Sequence, residues 1–100
     1  MGIKTKLENG KLIIFPEGRI DTTNAMEIEK EMFGLAYEHE NTPIEVDAEK
    51  LEYISSSGLR VFMKLLRMKK DKIIIRNVSS DVYKIFEVTG FTELFHIRKD

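Results

Sequence analysis

The sequence predicts one α/β domain, residues 1–100, in which helices pack on a mixed β-sheet of four to five strands. Segments with alternating or continuous apolar residues, typical of strands, take turns along the chain with segments of helical periodicity. A length of 100 residues is sufficient for one hydrophobic core, and the absence of cysteine excludes disulfides and zinc–thiolate sites. The resulting order, β-β-α-β-α-β-α, requires right-handed crossovers and therefore parallel neighbouring strands.

The first half of the chain predicts a β-hairpin followed by a helix and a strand. In IKTKLENGKLIIF two strand-like segments flank Asn9-Gly10, a pair that tolerates the positive φ of a tight turn. The segment GRID, residues 18–21, ends this unit. TTNAMEIEKEMFGLAYEH predicts a helix with near-capping-box spacing between Asn24 and Glu27, and the segment NTP ends it. IEVDAEKL then alternates as a strand. The apolar face of the helix consists of Ala25, Ile28, Met32, Leu35 and Ala36.

The second half predicts two more helices around a short strand. The first of these helices is led by Ser57, and residues 71–72 turn the chain into IIIRN, an apolar run typical of a strand covered on both faces. SSDVYKIFEVTG predicts a helix that is capped by Ser79 or Ser80 and ends at Gly90. FTELFHI closes the chain as a helical turn or a last strand. The core-facing positions of the Ser57 helix are Leu59, Phe62, Leu65 and Leu66.

Composition and charge exclude several classes of protein. Apolar runs such as LIIF are far too short for a membrane span, and MGIK is not followed by the apolar segment of a signal peptide. We therefore expect a cytoplasmic protein without a membrane partner, and we expect it to be a monomer. The net charge of −1 and the lack of interleaved aromatic and basic residues predict no nucleic-acid partner.

The charge is unevenly distributed along the chain. Residues 17–52 carry eleven acidic and three basic side chains, whereas residues 53–100 carry ten basic and five acidic ones. Two solvated helix faces would have this pattern, and so would a domain that docks on its partner in one orientation.

The segment LEYISSSGLRVFMKLLRMKK has three consecutive serines and a glycine at the predicted start of the second helix. One serine is sufficient to cap a helix. Ser56 and Ser57 lie where the unpaired N–H groups and the dipole of a helix N-terminus favour an anion. A phosphate on either serine would therefore gain hydrogen bonds within its own domain. The alternative interpretation is a polar loop with one cap and two spare hydroxyls.

LEYISSSGLRVFMKLL, preceded by IEVDAEK and followed by NVSSDVYKIFEVTGFTELFHI, resembles the STAS domain and, more narrowly, the bacterial anti-sigma factor antagonists. The resemblance extends from the opening hairpin to the final TGFTELF. In that family the central block reads apolar residue, Asp, Ser, small residue, Gly, Leu, and a partner kinase phosphorylates the serine directly after the Asp. By position this serine is Ser56, with Ser57 as the second candidate. The implied partner-binding residues are Asp21, Ser55, Ser56, Ser57, Gly58 and Arg60.

The resemblance implies a partner-switching protein. Unphosphorylated, it would bind an anti-sigma factor that is itself a serine kinase, and so free the sigma factor. Phosphorylated, it would release the anti-sigma factor. A serine phosphatase is a further implied partner, and no cofactor or metal is expected. Gly58, which lacks a side chain, would let the kinase cleft approach the backbone.

Two residues depart from the family pattern. Ser55 stands where the family has Asp, which removes a carboxylate next to the target hydroxyl. In GRID, Asp21 matches the family's Gly-Glu-apolar-Asp pattern, but Arg19 replaces the Glu and reverses its charge. We expect Asp21 at the same end of the sheet as the serines. There it would pair with a basic partner side chain, position the Ser56 hydroxyl, or only cap the first helix.

Two other functions are alternatives to this one. A STAS domain of another system, such as a stress-complex or transporter-linked regulator, would use the serine loop only for docking. An enzyme with a serine nucleophile needs a base and an oxyanion hole. The chain has only two histidines, His39 and His96, both in charged segments, and it lacks a G-x-S-x-G elbow. We therefore predict no enzymatic activity.

Overall fold

The computed structural model describes residues 3–69 and 73–99, so residues 71–72, for which a turn was predicted, lie outside the described residues. No helix in those two ranges is long and apolar enough to cross a membrane. The strands are β1 (Lys4–Glu8), β2 (Lys11–Phe15), β3 (Gly18–Ile20), β4 (Ile44–Asp47), β5 (Leu51–Ile54), β6 (Ile74–Val78) and β7 (His96–Lys99). The helices are α1 (Ala25–Glu38), α2 (Ser56–Lys69) and α3 (Ser80–Val88), and a short 3-10 turn spans Phe91–Glu93.

Five strands form a mixed sheet in the order β1-β2-β4-β6-β7. β1 pairs antiparallel with β2, whereas β2, β4, β6 and β7 pair parallel. The predicted mixed sheet with its packed helices is thereby confirmed. Asn9 and Gly10 form the predicted hairpin turn, with φ of 51° and 77°. The closing segment contains both predicted alternatives, because a 3-10 turn precedes β7.

β3 and β5 form a separate two-stranded parallel ribbon, which the sequence pattern does not predict. Arg19 lies opposite Tyr53, and Ile20 lies opposite Ile54, after an irregular step at the start of β3. Leu51 and Ile54, at the two ends of β5, are both buried, so this strand lacks a clear alternation. Because the two strands lead into α1 and α2, the ribbon fixes where both helices begin.

The hydrophobic core lies between one face of the sheet and the helices. Ile14 of β2 is completely buried in this core, whereas Ile13 beside it points to the opposite face. We call that opposite face, which also carries Glu45 and Ile74, the outer face. In β6, Ile75 is fully buried and Ile74 is half-buried, so IIIRN is covered completely on the core face and partly on the outer face. The helices contribute Met32, Ala36, Phe62, Leu65, Val82 and Phe86 to the core.

The first helix begins without the capping box that its sequence predicts. Asn24 occupies the N-cap position, but its side chain makes no capping hydrogen bond. Its amide oxygen instead accepts a hydrogen bond from the N–H of Asp21 at 2.9 Å, and its amide nitrogen donates to the carbonyl of Arg19 at 2.8 Å. Asn24 therefore fixes the loop before the helix. α1 begins at residue 25, directly after Asn24, which is one of the cap positions that the sequence offers.

The third helix has both of its predicted ends. The Ser79 hydroxyl accepts a hydrogen bond from the N–H of Val82 at 3.2 Å, which is the geometry of an N-cap. Gly90 has a φ of 81°, the left-handed conformation expected after a helix C-terminus.

Candidate functional site

The ends of β3 and β5 place Asp21 beside the three serines. Ile20 and Ile54 are register partners, and the backbone N–H of Ser55 donates to the carbonyl of Ile20 at 2.8 Å. Asp21 and Ser55 are the next residues of the two strands and begin the connections to α1 and α2. The expectation that GRID and the serines lie at one end of the strands is confirmed. We call residues 19–21 and 53–57 the serine edge.

Ser55 is the cap of α2. Its hydroxyl accepts a hydrogen bond from the N–H of Gly58 at 3.3 Å, and its carbonyl accepts from the N–H of Leu59 at 2.9 Å. Serine and aspartate are both favourable N-cap residues. Ser55 therefore keeps the capping function that an Asp would have at this position, while it removes the negative charge.

Ser56 is the most accessible of the three serines. It is exposed and is the first residue of α2, whereas Ser55 and Ser57 are each partly buried. The triple serine thus divides into one cap, one exposed hydroxyl and one half-buried hydroxyl. Of the two candidates for modification, Ser56 is the better presented to a partner.

Gly58 lies beneath the serine edge and is buried. A Cβ at this position would lie 2.7 Å from Ile20 Cγ2 and 2.7 Å from Ile54 Cγ1. The missing side chain lets the first turn of α2 pack directly on the ribbon. This packing role corrects the expectation that Gly58 leaves room for a kinase cleft, because Gly58 faces the interior of the domain.

The Asp21 carboxylate is held by its own loop. Oδ1 accepts hydrogen bonds from the Thr23 hydroxyl at 2.6 Å and from the Thr23 N–H at 3.0 Å. These bonds are the main cause that lowers the pKa of Asp21, and the Arg19 guanidinium adds to them. The carbonyl of Asp21 also accepts from the N–H of Ala25 at 2.9 Å. Asp21 therefore holds the turn that leads into α1, whereas the N-cap position of the helix itself belongs to Asn24.

The side chains of Arg19 and Tyr53 contact each other across the β3–β5 ribbon. The guanidinium carbon of Arg19 lies 4.3 Å from the centroid of the Tyr53 ring, and Arg19 Nε lies 3.8 Å from Asp21 Oδ2. A cation at this distance from an aromatic ring is attracted by the ring. The side chain of Arg19 is nevertheless 62% exposed.

Arg60 extends the serine edge along α2. It is exposed and lies four residues after Ser56, on the same face of the helix. Over residues 3–69 and 73–99, no group of three or more His, Asp or Glu side chains could hold a metal ion.

The model of the STAS domain matches residues 3–100 of the chain. This chain belongs to the STAS-domain family. A STAS-domain relative, BtrV of Bordetella bronchiseptica, is named as a candidate anti-sigma factor antagonist. It is 30% identical over 92 residues, which cover 89% of this chain and 78% of BtrV.

Two solved structures share the fold. The crystal structure of a candidate anti-sigma factor antagonist from Thermotoga maritima has a TM-score of 0.88 at 18% identity, covering 98% of this chain and 86% of that one. The structure of the anti-sigma factor antagonist SpoIIAA in its unphosphorylated form has a TM-score of 0.70 at 17% identity, covering 99% of this chain and 88% of SpoIIAA. Both structures agree with the fold that the resemblance implies.

Within this STAS domain, the sequence located most of the residues that the fold brings together. Asp21, Ser55, Ser56 and Ser57 meet at the serine edge. The sequence missed Tyr53, because its contact with Arg19 depends on the pairing of β3 with β5. The signal available in advance was an aromatic residue two positions before the serines.

Proposed function

We propose that this STAS domain is an anti-sigma factor antagonist whose binding to its anti-sigma factor is switched by phosphorylation of Ser56. The observation that carries the proposal is the position of Ser56, which is exposed and is the first residue of α2, directly after its cap residue Ser55. The name of BtrV, a candidate anti-sigma factor antagonist, supports an anti-sigma factor as the partner. The unphosphorylated form of SpoIIAA supports a switch of this kind.

The unmodified serine edge is organised before any partner binds. Ser55 ties the two strands together through its N–H and begins α2 through its hydroxyl. Asp21 is held by Thr23, and Asn24 closes the same loop. A surface that needs little ordering binds with a smaller entropic cost. An anti-sigma factor would therefore find this surface in its binding conformation.

Phosphorylation would change the charge of this surface without unfolding it. In the reaction, the γ-phosphoryl group of ATP passes to Ser56 Oγ, ADP leaves, and the hydroxyl proton goes to a base of the kinase. The phosphate adds about −1.5 to −2 charges. The N–H groups and dipole of the first turn of α2 favour that charge, so the domain keeps its fold.

The same phosphate opposes a partner that covers it. Binding would desolvate a dianion against a surface that offers it no new hydrogen-bond donors. A coupling of roughly 3–4 kcal/mol reduces affinity several-hundredfold, which is sufficient for a switch. The proposed partner is thus an anti-sigma factor with serine kinase activity, and a serine phosphatase would restore the binding form. Because the switch uses ATP and controls a sigma factor, it would operate in the cytoplasm.

The positions of the histidines argue against an enzyme with a serine nucleophile. The carbonyl of His39, at the C-terminal end of α1, accepts a hydrogen bond from Lys69 at the C-terminal end of α2. His96 begins β7, in register with Ile74 at the start of β6. The serines lie at the N-terminal end of α2, whereas His39 lies beside Lys69 at the C-terminal end of that helix. A serine nucleophile needs a base within hydrogen-bond reach.

The proposal is tested by the affinity of Ser56 variants for the serine-kinase anti-sigma factor of the same organism. Ser56→Ala should bind like the wild type and resist phosphorylation. Ser56→Asp should bind about a hundredfold more weakly, because it places a charge at the covered position. Ser80→Asp is the matched control, since Ser80 is also the exposed first residue of a helix after a serine cap, and it should bind normally.

The outcomes separate the proposal from its alternatives. Equal affinity of wild type and Ser56→Asp would contradict the switch. A protein that binds its partner but is never phosphorylated would support the docking STAS domain of another system instead.

A further inference from the structure

Arg19 presents a fixed positive charge at the serine edge. Its guanidinium lies on the Tyr53 ring at 4.3 Å, and its Nε is 3.8 Å from Asp21 Oδ2. Asp21 is itself held by two hydrogen bonds from Thr23, and the carbonyl of Arg19 accepts a hydrogen bond from Asn24. Both the backbone and the side chain of Arg19 are therefore restrained before a partner arrives. Restraint of a long side chain lowers the entropic cost of each contact that it makes.

The donors of Arg19 remain available to a partner. A separation of 3.8 Å from Asp21 is too long for a hydrogen bond, so this ion pair leaves the Nε–H unused. A guanidinium carries five N–H donors in a planar fork that matches the two oxygens of a carboxylate. With 62% of the side chain exposed, such a carboxylate has access to the fork.

The surroundings define the direction from which a carboxylate can approach. Glu17, Glu49 and Glu52 line an open groove of about 540 Å³ beside Arg19, together with Lys50. Residues 17 and 49 precede β3 and β5, whereas the serines follow the end of β5. The groove side carries three carboxylates. The serine side carries Asp21, whose carboxylate already accepts two hydrogen bonds from Thr23, and it adds the exposed cation of Arg60, so a partner carboxylate is repelled less on that side. The docking direction is therefore the one that also covers Ser56.

We propose that Arg19, supported by Tyr53, is the residue that determines which anti-sigma factor this STAS domain binds, through a charge-assisted pair with a partner carboxylate. The inference rests on the proposed function and adds the chemistry of the partner surface. The STAS-domain pattern has a glutamate at this position, so a partner that suits the pattern would offer a cation here. The partner of this chain would offer an anion instead. Arg19 would then repel a partner that offers a cation, and a glutamate at this position would repel a partner that offers an anion.

The test uses two anti-sigma factors, the one from the same organism and one whose own antagonist has the glutamate of the family pattern. On the first, Arg19→Glu should bind roughly a hundredfold more weakly, and Arg19→Gln roughly tenfold more weakly. On the second, Arg19→Glu should bind at least tenfold more tightly than the wild type. Arg67→Glu is the matched control and should change neither affinity, because Arg67 is exposed in the last turn of α2, roughly 16 Å along the helix from Ser56.

The outcomes distinguish this inference from the proposed function. If Ser56→Asp weakens binding but Arg19→Glu binds both anti-sigma factors like the wild type, then the specificity role of Arg19 is wrong and the switch stands. If the wild type binds neither anti-sigma factor, both proposals fall. Arg19→Gln keeps a side chain of similar length without a charge, so it decides the matter if Arg19→Glu does not fold.

Discussion

Two carboxylates of the chain, Asp21 at the serine edge and Glu45 on the outer face, differ in their exposure and in the residues that bind them. Asp21 is 31% exposed, and it accepts its hydrogen bonds from Thr23, two residues away. The side chain of Glu45 is only 4% exposed and lies between cations of two other strands. Lys11 Nζ is 2.8 Å away and Arg76 Nη1 is 3.0 Å away.

The contacts of Glu45 link β2, β4 and β6, whereas those of Asp21 act within one turn. Burial by itself would raise the pKa of Glu45, but the hydrogen bonds and charges of Lys11 and Arg76 outweigh it and lower the pKa. The difference indicates that the two carboxylates have different roles. The outer face uses its carboxylate to hold the sheet together, and the serine edge keeps a carboxylate that the sheet does not need.

Replacement of Glu45 should have the largest effect on stability. Glu45→Ala leaves two cations without their shared counter-charge, and the free energy of unfolding should fall by about 2–3 kcal/mol. The cost stays below that of a fully buried pair because Lys11 and Arg76 are 34% and 45% exposed. Thermal unfolding should show a melting temperature roughly 10–20 °C lower. Binding of the anti-sigma factor, measured where the variant is folded, should not change. If Glu45→Ala has the melting temperature of the wild type, Glu45 does not hold the sheet together and the contrast with Asp21 is wrong.

A methyl group added at Gly58, beneath the serine edge, should have the second-largest effect on stability. Gly58→Ala forces a Cβ to within 2.7 Å of two isoleucine side chains, and the shift of α2 should cost about 1–3 kcal/mol. Gly34→Ala is the matched control, because Gly34 is an exposed α1 residue with open space around it. That change should stabilise the protein by about 0.5–1 kcal/mol. Urea unfolding of both variants compares them directly, and equal effects would argue against close packing of α2 on the ribbon.

Acid should weaken the outer face more than the serine edge. The folded-state pKa of Glu45 lies below its ordinary value of 4.5, so its contribution to stability is complete above that pH and is lost as the pH falls through the folded-state pKa. Asp21 has the same sign, with an ordinary value of 3.8, but it is more exposed. Urea unfolding at pH 7 and at about pH 3 should therefore show less acid sensitivity in Glu45→Gln than in the wild type. Asp21→Asn should change the acid sensitivity less.

The smallest effect on stability is expected for Asp21→Asn, which keeps the shape and most of the capping ability of Asp21. The melting temperature should stay close to that of the wild type. Because the change removes the carboxylate that would pair with a basic partner side chain or position the Ser56 hydroxyl, binding of the anti-sigma factor or phosphorylation should fall about tenfold. If the variant melts early but binds and is phosphorylated normally, Asp21 only stabilises the turn before α1 and has no role in partner binding.

The main sheet and the helices could be predicted from sequence because their signals are local. Asn9-Gly10 specifies a hairpin by itself, and the apolar faces of α1, α2 and α3 repeat with helical spacing. The β3–β5 ribbon could not be predicted in the same way. Its strands have three and four residues, and they pair across more than thirty positions of sequence. A short strand with an irregular register leaves no clear alternation to detect.

The candidate site shows the same limit. The serines and Asp21 were located from the family pattern, but the roles of their neighbours depend on tertiary contacts. The need for Gly58 comes from Ile20 and Ile54, which reach it from two different strands. The support of Arg19 by Tyr53 likewise exists only after β3 and β5 have paired.

The most direct test of the account is to map the phosphate after the protein has been incubated with its serine-kinase anti-sigma factor and ATP. We predict phosphate on Ser56, none on the Ser56→Ala variant, and loss of the complex as the phosphate accumulates. Phosphate on Ser57 or Ser55 alone would contradict the assignment of Ser56 as the exposed acceptor. The absence of phosphate from a protein that still binds the kinase would contradict the switch itself.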